Sequence, residues 1–148
     1  MRRIFMLALL LTVVTPLLAM GGDRSPPPLA AFAIQSTPAA GSQATISQAS
    51  GGAGVKNVAE SACFAFSATT ALGGITTVTV NLRDGATGAG TVLQAWQFTL
   101  PAATITPFSQ CVSGLHISGT AATAMTLEFS AAVGNLMESV ALTGYTNP

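Results

Sequence analysis

The sequence predicts an all-β chain: an antiparallel β-sandwich of jelly-roll-like type, with six to eight short strands. Three observations carry the prediction. From Thr45 onward, apolar and polar residues alternate with period two, the pattern of a strand with one buried face. Turn-forming residues interrupt these runs at roughly the 8–12-residue spacing of sandwiches and barrels. Threonine occurs 19 times and no long segment has a helical period; β-branched residues favour strands and disfavour helix interiors.

The strands can be justified in order. In Val58–Ser67, Val58, Ala62, Phe64 and Phe66 share one face. In Thr77–Arg83 the inward set is Val78, Val80 and Leu82. In Gln94–Leu100 it is Trp96, Phe98 and Leu100, and in Ala124–Ser130 it is Met125, Leu127 and Phe129, with Thr126, Glu128 and Ser130 outward. Val140 and Leu142 mark a last strand ending near Tyr145. Ala71-Leu72-Gly73-Gly74 separates two strands, and the glycine-rich stretch Arg83–Gly90 suits a hairpin loop, because glycine takes positive φ without a Cβ clash. Pro101 and Pro107 bracket another connection, and Val133-Gly134-Asn135 is expected to close a final hairpin. Abundant alanine implies a thin core or close sheet packing.

Ahead of these strands the chain has a different character. Residues 1–21 contain Arg2 and Arg3, an apolar run from Ile4 to Leu18, and Ala19-Met20-Gly21. A charged start, an apolar stretch and a small-residue site describe a secretory signal peptide. A retained apolar leader, or a true start at Met20, are the alternatives. Contact with a membrane is expected only transiently, through this leader. Residues 22–42 are expected to be a Pro-rich linker or arm, since Pro26-Pro27-Pro28 favours extended polyproline conformation. Within it, Leu29–Ile34 is apolar enough for an edge strand or a docking arm. Residues 43–148 are expected to form the sandwich.

Charge narrows the function. The 148 residues include only 7% charged side chains, with no net charge. After Gly21, Arg24, Lys56 and Arg83 stand against Asp23, Glu60, Asp84, Glu128 and Glu138, a balance of −2. A nucleic-acid-binding surface, which needs clustered cations, is not expected. Catalytic acids and bases are scarce too. His116, between Leu115 and Ile117, is expected to point outward. Glu128 and Glu138 are the best acid/base candidates, but a last hairpin that matches Leu127 with Val140 and Met125 with Leu142 would place them on opposite faces as solvated carboxylates. The Asp84–Gly90 loop lacks the Lys-Ser/Thr of a phosphate loop and has too few oxygen ligands for calcium. Trp96 is expected in the core rather than on a sugar-stacking platform, with Tyr145 exposed. No cofactor, metal or catalytic residue is assigned. Cys63 and Cys111 are a possible disulfide, with free thiols as the alternative: Cys63 has outward parity, whereas Cys111 shares parity with Leu115 and Ile117 unless Gly114 resets the phase.

Several segments together carry a resemblance: Ala44–Ala49, Gly51–Val55, Val80–Leu93, Leu115–Ala121, Ala124–Phe129 and Glu138–Tyr145. Over about Gln43–Asn147 the chain resembles small β-sandwich proteins encoded among the capsid and tail genes of tailed bacteriophages. The resemblance implies a non-enzymatic virion structural protein, a capsid-decoration or tail-associated module whose partners are itself, as a homo-oligomer, and other virion proteins. The leader departs from that pattern and fits the alternative, a secreted bacterial surface or carbohydrate-binding sandwich module.

Overall fold

A computed structural model describes residues 30–148; the expected leader and residues 22–29 of the proline-rich arm lie outside them. The described chain is all-β. β1 (Ala30–Ser36), β8 (Met137–Asn147), β3 (Lys56–Ala68) and β6 (Ile105–Ser118) form one four-stranded sheet in that spatial order. β2 (Thr45–Gln48), β7 (Met125–Phe129), β4 (Thr76–Asp84) and β5 (Thr91–Leu100) form the second. All pairings are antiparallel. Within the sheets β1 pairs β8, β2 pairs β7, β3 pairs β6 and β4 pairs β5, the nesting expected when one long hairpin is rolled into two Greek keys.

Only the β4–β5 connection stays within a sheet; every other one crosses from sheet to sheet. The Arg83–Gly90 stretch is therefore a true hairpin loop. The expected hairpin around Gly134 is corrected: β7 and β8 lie in different sheets, and Ser130–Leu136 bridges them. Within the expected arm, the edge-strand reading of Leu29–Ile34 fits the described residues. Ala30–Ser36 pairs with β8 as an edge strand, because Phe32 and Ile34 can pack against the core.

The core lies between the sheets. Phe64, Phe129, Leu82, Leu127, Leu136 and Leu142 are among its largest fully buried side chains. Ala44, Ala59, Ala62 and Ala68 are also buried and allow close packing. Within the first sheet, Gly144 leaves no room for a side chain. A Cβ there would clash with the Val58 carbonyl oxygen on β3 and lie 2.7 Å from the Phe32 ring on β1. Gly144→Ala is expected to cost roughly 1–3 kcal/mol by overpacking, read as a lower urea midpoint; an unchanged midpoint would contradict this contact.

β6 carries the main irregularity. Gly114 and His116 have φ values of 71° and 48°, and the pairing with β3 slips between Ala59 and Ser61. Val112, Leu115 and Ile117 all pack on the core, so the inward phase shifts by one residue at Gly114. Cys111 consequently faces outward, directly opposite Cys63, and the two form a disulfide on the outer face of the first sheet.

Candidate functional site

Among the described residues, the titratable side chains do not converge on one site. Asp84 is occupied by Thr120: its two carboxylate oxygens accept the Thr120 N–H, each at 3.0 Å, and one also accepts the Thr120 hydroxyl. This ties the start of the glycine loop to the β6–β7 connection. Nearby, the buried Asn57 side-chain amide donates to the Ala49 carbonyl at 3.1 Å and the Thr123 carbonyl at 3.2 Å. His116 is exposed at the β6 bulge.

Glu128 is not a solvated carboxylate. It is 1% exposed, although its parity places it on the outer face of β7. The glycine loop provides the cover. The Gly88 N–H donates to Glu128 Oε2 at 2.9 Å, the Thr126 hydroxyl donates to the Gly85 carbonyl at 2.7 Å, and Thr87 reaches Thr45 on β2 at 3.0 Å. Arg83 Nε donates to Glu128 Oε1 beneath this cover. Asn81 is the direct cross-strand partner of Glu128 and Thr126 that of Arg83; the ion pair therefore runs along the diagonal between neighbouring strands. All five β7 residues are buried, where inward–outward alternation was expected.

Glu138 is also buried, at 1% exposure, on the inward face of β8 with Val140 and Leu142. Its Oε2 accepts the Ala44 N–H at 3.0 Å, while Oε1 has no hydrogen-bond partner. Burial pushes the carboxyl from 4.5 up to about 7, against the smaller downward pull of the Ala44 and Val133 backbone groups. The two glutamates thus have separate partners in separate sheets, and neither is placed for paired acid/base chemistry. Because the folded pKa of Glu138 exceeds the unfolded one, its contribution is fully present below about pH 4.5 and is lost as pH rises through about 7. The loss is roughly 3 kcal/mol. Wild-type urea midpoints are expected to fall between about pH 4.5 and about pH 8, and Glu138→Gln to flatten that fall; an equally steep fall in the variant would refute the assignment.

The surface offers a different kind of site. β5 and β6 are margins of opposite sheets and do not pair, which leaves one side of the sandwich open. A cleft of about 550 Å³ lies there, in the size range of small-ligand pockets. Phe66, Phe98 and Phe108 form its aromatic walls, and Gln97, Thr99 and Thr106 stand at its rim. Phe66 and Phe108 are cross-strand partners stacked at 4.8 Å, with Phe98 5.4 Å from each. Trp96 continues the row inward, 5.3 Å from Phe64, and is half-buried rather than a free platform. Tyr145 is half-buried as well.

This cleft opens toward the end of the sandwich formed by residues 37–44, 69–75, 101–104 and 130–136, connections that contain no charged residue. Ile75, at 78% exposure, and the partly exposed Phe108 and Met137 belong to the same end. A smaller groove of about 210 Å³ adjoins it on the outer face of the first sheet, between Met137, Ser67 and Pro107. Among the described residues, Lys56 and Glu60 alone are classed as exposed charges, and both lie in the first part of β3, away from this end. The cleft was hidden from sequence reasoning because Phe66 and Phe108 are 42 residues apart and meet only through the β3–β6 pairing.

No protein-family model matches the chain, and no curated protein matches it. Among solved structures, an arabinose-bound GH51 α-L-arabinofuranosidase is similar over 80% of this chain, at 16% identity and a TM-score of 0.39. This chain spans only 23% of that enzyme chain.

Proposed function

We propose that this chain is a non-enzymatic structural module of a protein assembly, a virion surface component of the capsid-decoration or tail-associated kind. It acts by packing its uncharged end against neighbouring subunits, other copies of itself included. The observation that carries this reading is the distribution of charge. Among the described residues, Glu128 and Glu138 are buried, Arg83 and Asp84 are engaged, and the remaining exposed charges, Lys56 and Glu60, sit away from the Ile75–Phe108–Met137 end. Interface cores are depleted of charge and enriched in Phe and Met, and surfaces with little net charge tend to associate. Rolled eight-stranded sandwiches serve in capsids and in lectins alike, so the surface, not the fold, supports the choice.

A secreted carbohydrate-binding module is the second reading, favoured by the disulfide, which persists in oxidising surroundings. The bond lies on an outer face with Cys111 exposed, open to oxidation after particle release, and so accords with either reading. The aromatic rings favour the first: they tilt against one another by 40–59° around Phe64 and Phe98 instead of presenting one flat stacking surface. Sedimentation of the purified chain and mass spectrometry of purified particles test the proposal. Self-association and recurrent copies per particle are expected. A stable monomer absent from particles would overturn it, and glycan quenching of Trp96 fluorescence would transfer support to the second reading.

A further inference from the structure

We propose that the aromatic cleft between β5 and β6 receives the Ser25–Leu29 segment of a second copy of this chain, so that copies are joined by exchanged proline-rich arms. The inference rests on the assembly reading above and names the occupant of its most apolar surface.

The chemistry of the two parts matches. Ser25-Pro26-Pro27-Pro28-Leu29 carries no charge, and neither do the cleft walls and rim. Consecutive prolines hold a polyproline conformation without internal hydrogen bonds. Such a segment therefore loses little conformational entropy on docking, and it offers pyrrolidine faces and unpaired carbonyls. Aromatic-lined grooves are the surfaces that receive it. Here the partly exposed Phe108 and the half-buried Phe98 supply the aromatic faces, and the buried Phe66 backs them from beneath. The exposed Gln97 amide, whose protein contact is a 3.5 Å approach to Thr79, and the Thr99 and Thr106 hydroxyls supply donors for the carbonyls.

Reach decides between the chain's own arm and a neighbour's. The arm joins the sandwich at Ala30, which pairs with Thr146, itself opposite Asn57 on β3. Phe66 lies nine residues farther along β3, or about 30 Å at the rise of a strand. The β6 margin is three strands across from β1, about 14 Å more in the perpendicular direction. Five residues span at most about 18 Å even when fully extended, and Ser25–Leu29 can reach no farther than that from Ala30. It falls short of its own cleft whatever precedes Ser25, so an arm in the cleft must come from another copy. Reciprocal exchange would form a closed two-fold dimer, and one-way exchange a ring or filament.

The test uses the full chain. Pro26→Ser/Pro27→Ser/Pro28→Ser alters only the arm, and Thr106→Arg places a charge on the exposed rim; unchanged thermal melts establish that both variants fold. Each is expected to weaken self-association in sedimentation by at least about tenfold, the loss of one anchoring contact. A Pro27→Cys/Thr106→Cys variant is expected to yield a covalent dimer on non-reducing gels. Wild-type-like association of both folded variants would overturn the arm exchange while leaving the assembly role intact if particles still contain the chain. An intramolecular cross-link, or a monomeric wild type, would also overturn it; the particle assay separately decides the broader reading.

Discussion

Replacing Arg83 with alanine is expected to destabilise the protein by roughly 3–5 kcal/mol, the range found when one partner of a buried ion pair is removed. Arg83 Nε meets a Glu128 carboxylate that is 1% exposed, leaving Glu128 with the Gly88 N–H as its other partner. The glycine loop screens most of this carboxylate from solvent, so water replaces the guanidinium only in part. Glu128→Gln in the Arg83→Ala background is expected to recover part of the loss, because the amide oxygen can still accept from Gly88 while the stranded charge is gone. Glu128→Ala alone is expected to cost less than Arg83→Ala, since the arginine, with its side chain 17% exposed, can turn toward solvent. Urea unfolding of the single and double variants gives the coupling directly. Strict additivity of Arg83→Ala and Glu128→Gln would eliminate the pair as a stabilising unit.

The disulfide has the other large expected effect. Cys63 and Cys111 are 48 residues apart, and cross-linking a loop of that length removes chain entropy from the unfolded state worth about 4 kcal/mol. Cys63→Ala/Cys111→Ala is expected to lower Tm by roughly 10–20 °C. The bond lies on an outer face, so its removal opens no core cavity, and the loss arises mainly in the unfolded ensemble. A larger denaturant m-value should accompany it, because the uncross-linked chain exposes more surface on unfolding. Thiol titration of denatured, unreduced protein should find no reactive thiols; two per chain would end this account.

The cysteines show where sequence reading reaches its limit. Counting alternate residues back from Leu115 and Ile117 places Cys111 inward. That count fails at Gly114 and His116, where positive φ shifts the pleat by one residue. Gly114 is a visible sign that a shift is possible, but its occurrence depends on how β6 meets β3. The glutamates fail for a related reason. Alternation assigned Glu128 correctly to the outer face of β7, yet exposure does not follow from parity when a loop folds over that face. Glu138 lies in phase with Val140 and Leu142, a sign of inward placement that the expected hairpin register obscured.

Local patterning was enough to establish the β class, the inward faces of Val58–Ser67 and Thr77–Arg83, and the hairpin at the glycine loop. These follow from period-two geometry and turn chemistry within a few neighbouring residues. Strand order, the separation of β7 from β8, the burial of both glutamates and the aromatic cleft were decided by tertiary structure alone. Their contacts join Arg83 to Glu128 across 45 residues and Ala44 to Glu138 across 94. Such pairings are set by which strands become neighbours when the sheets roll together, and no local period encodes that choice.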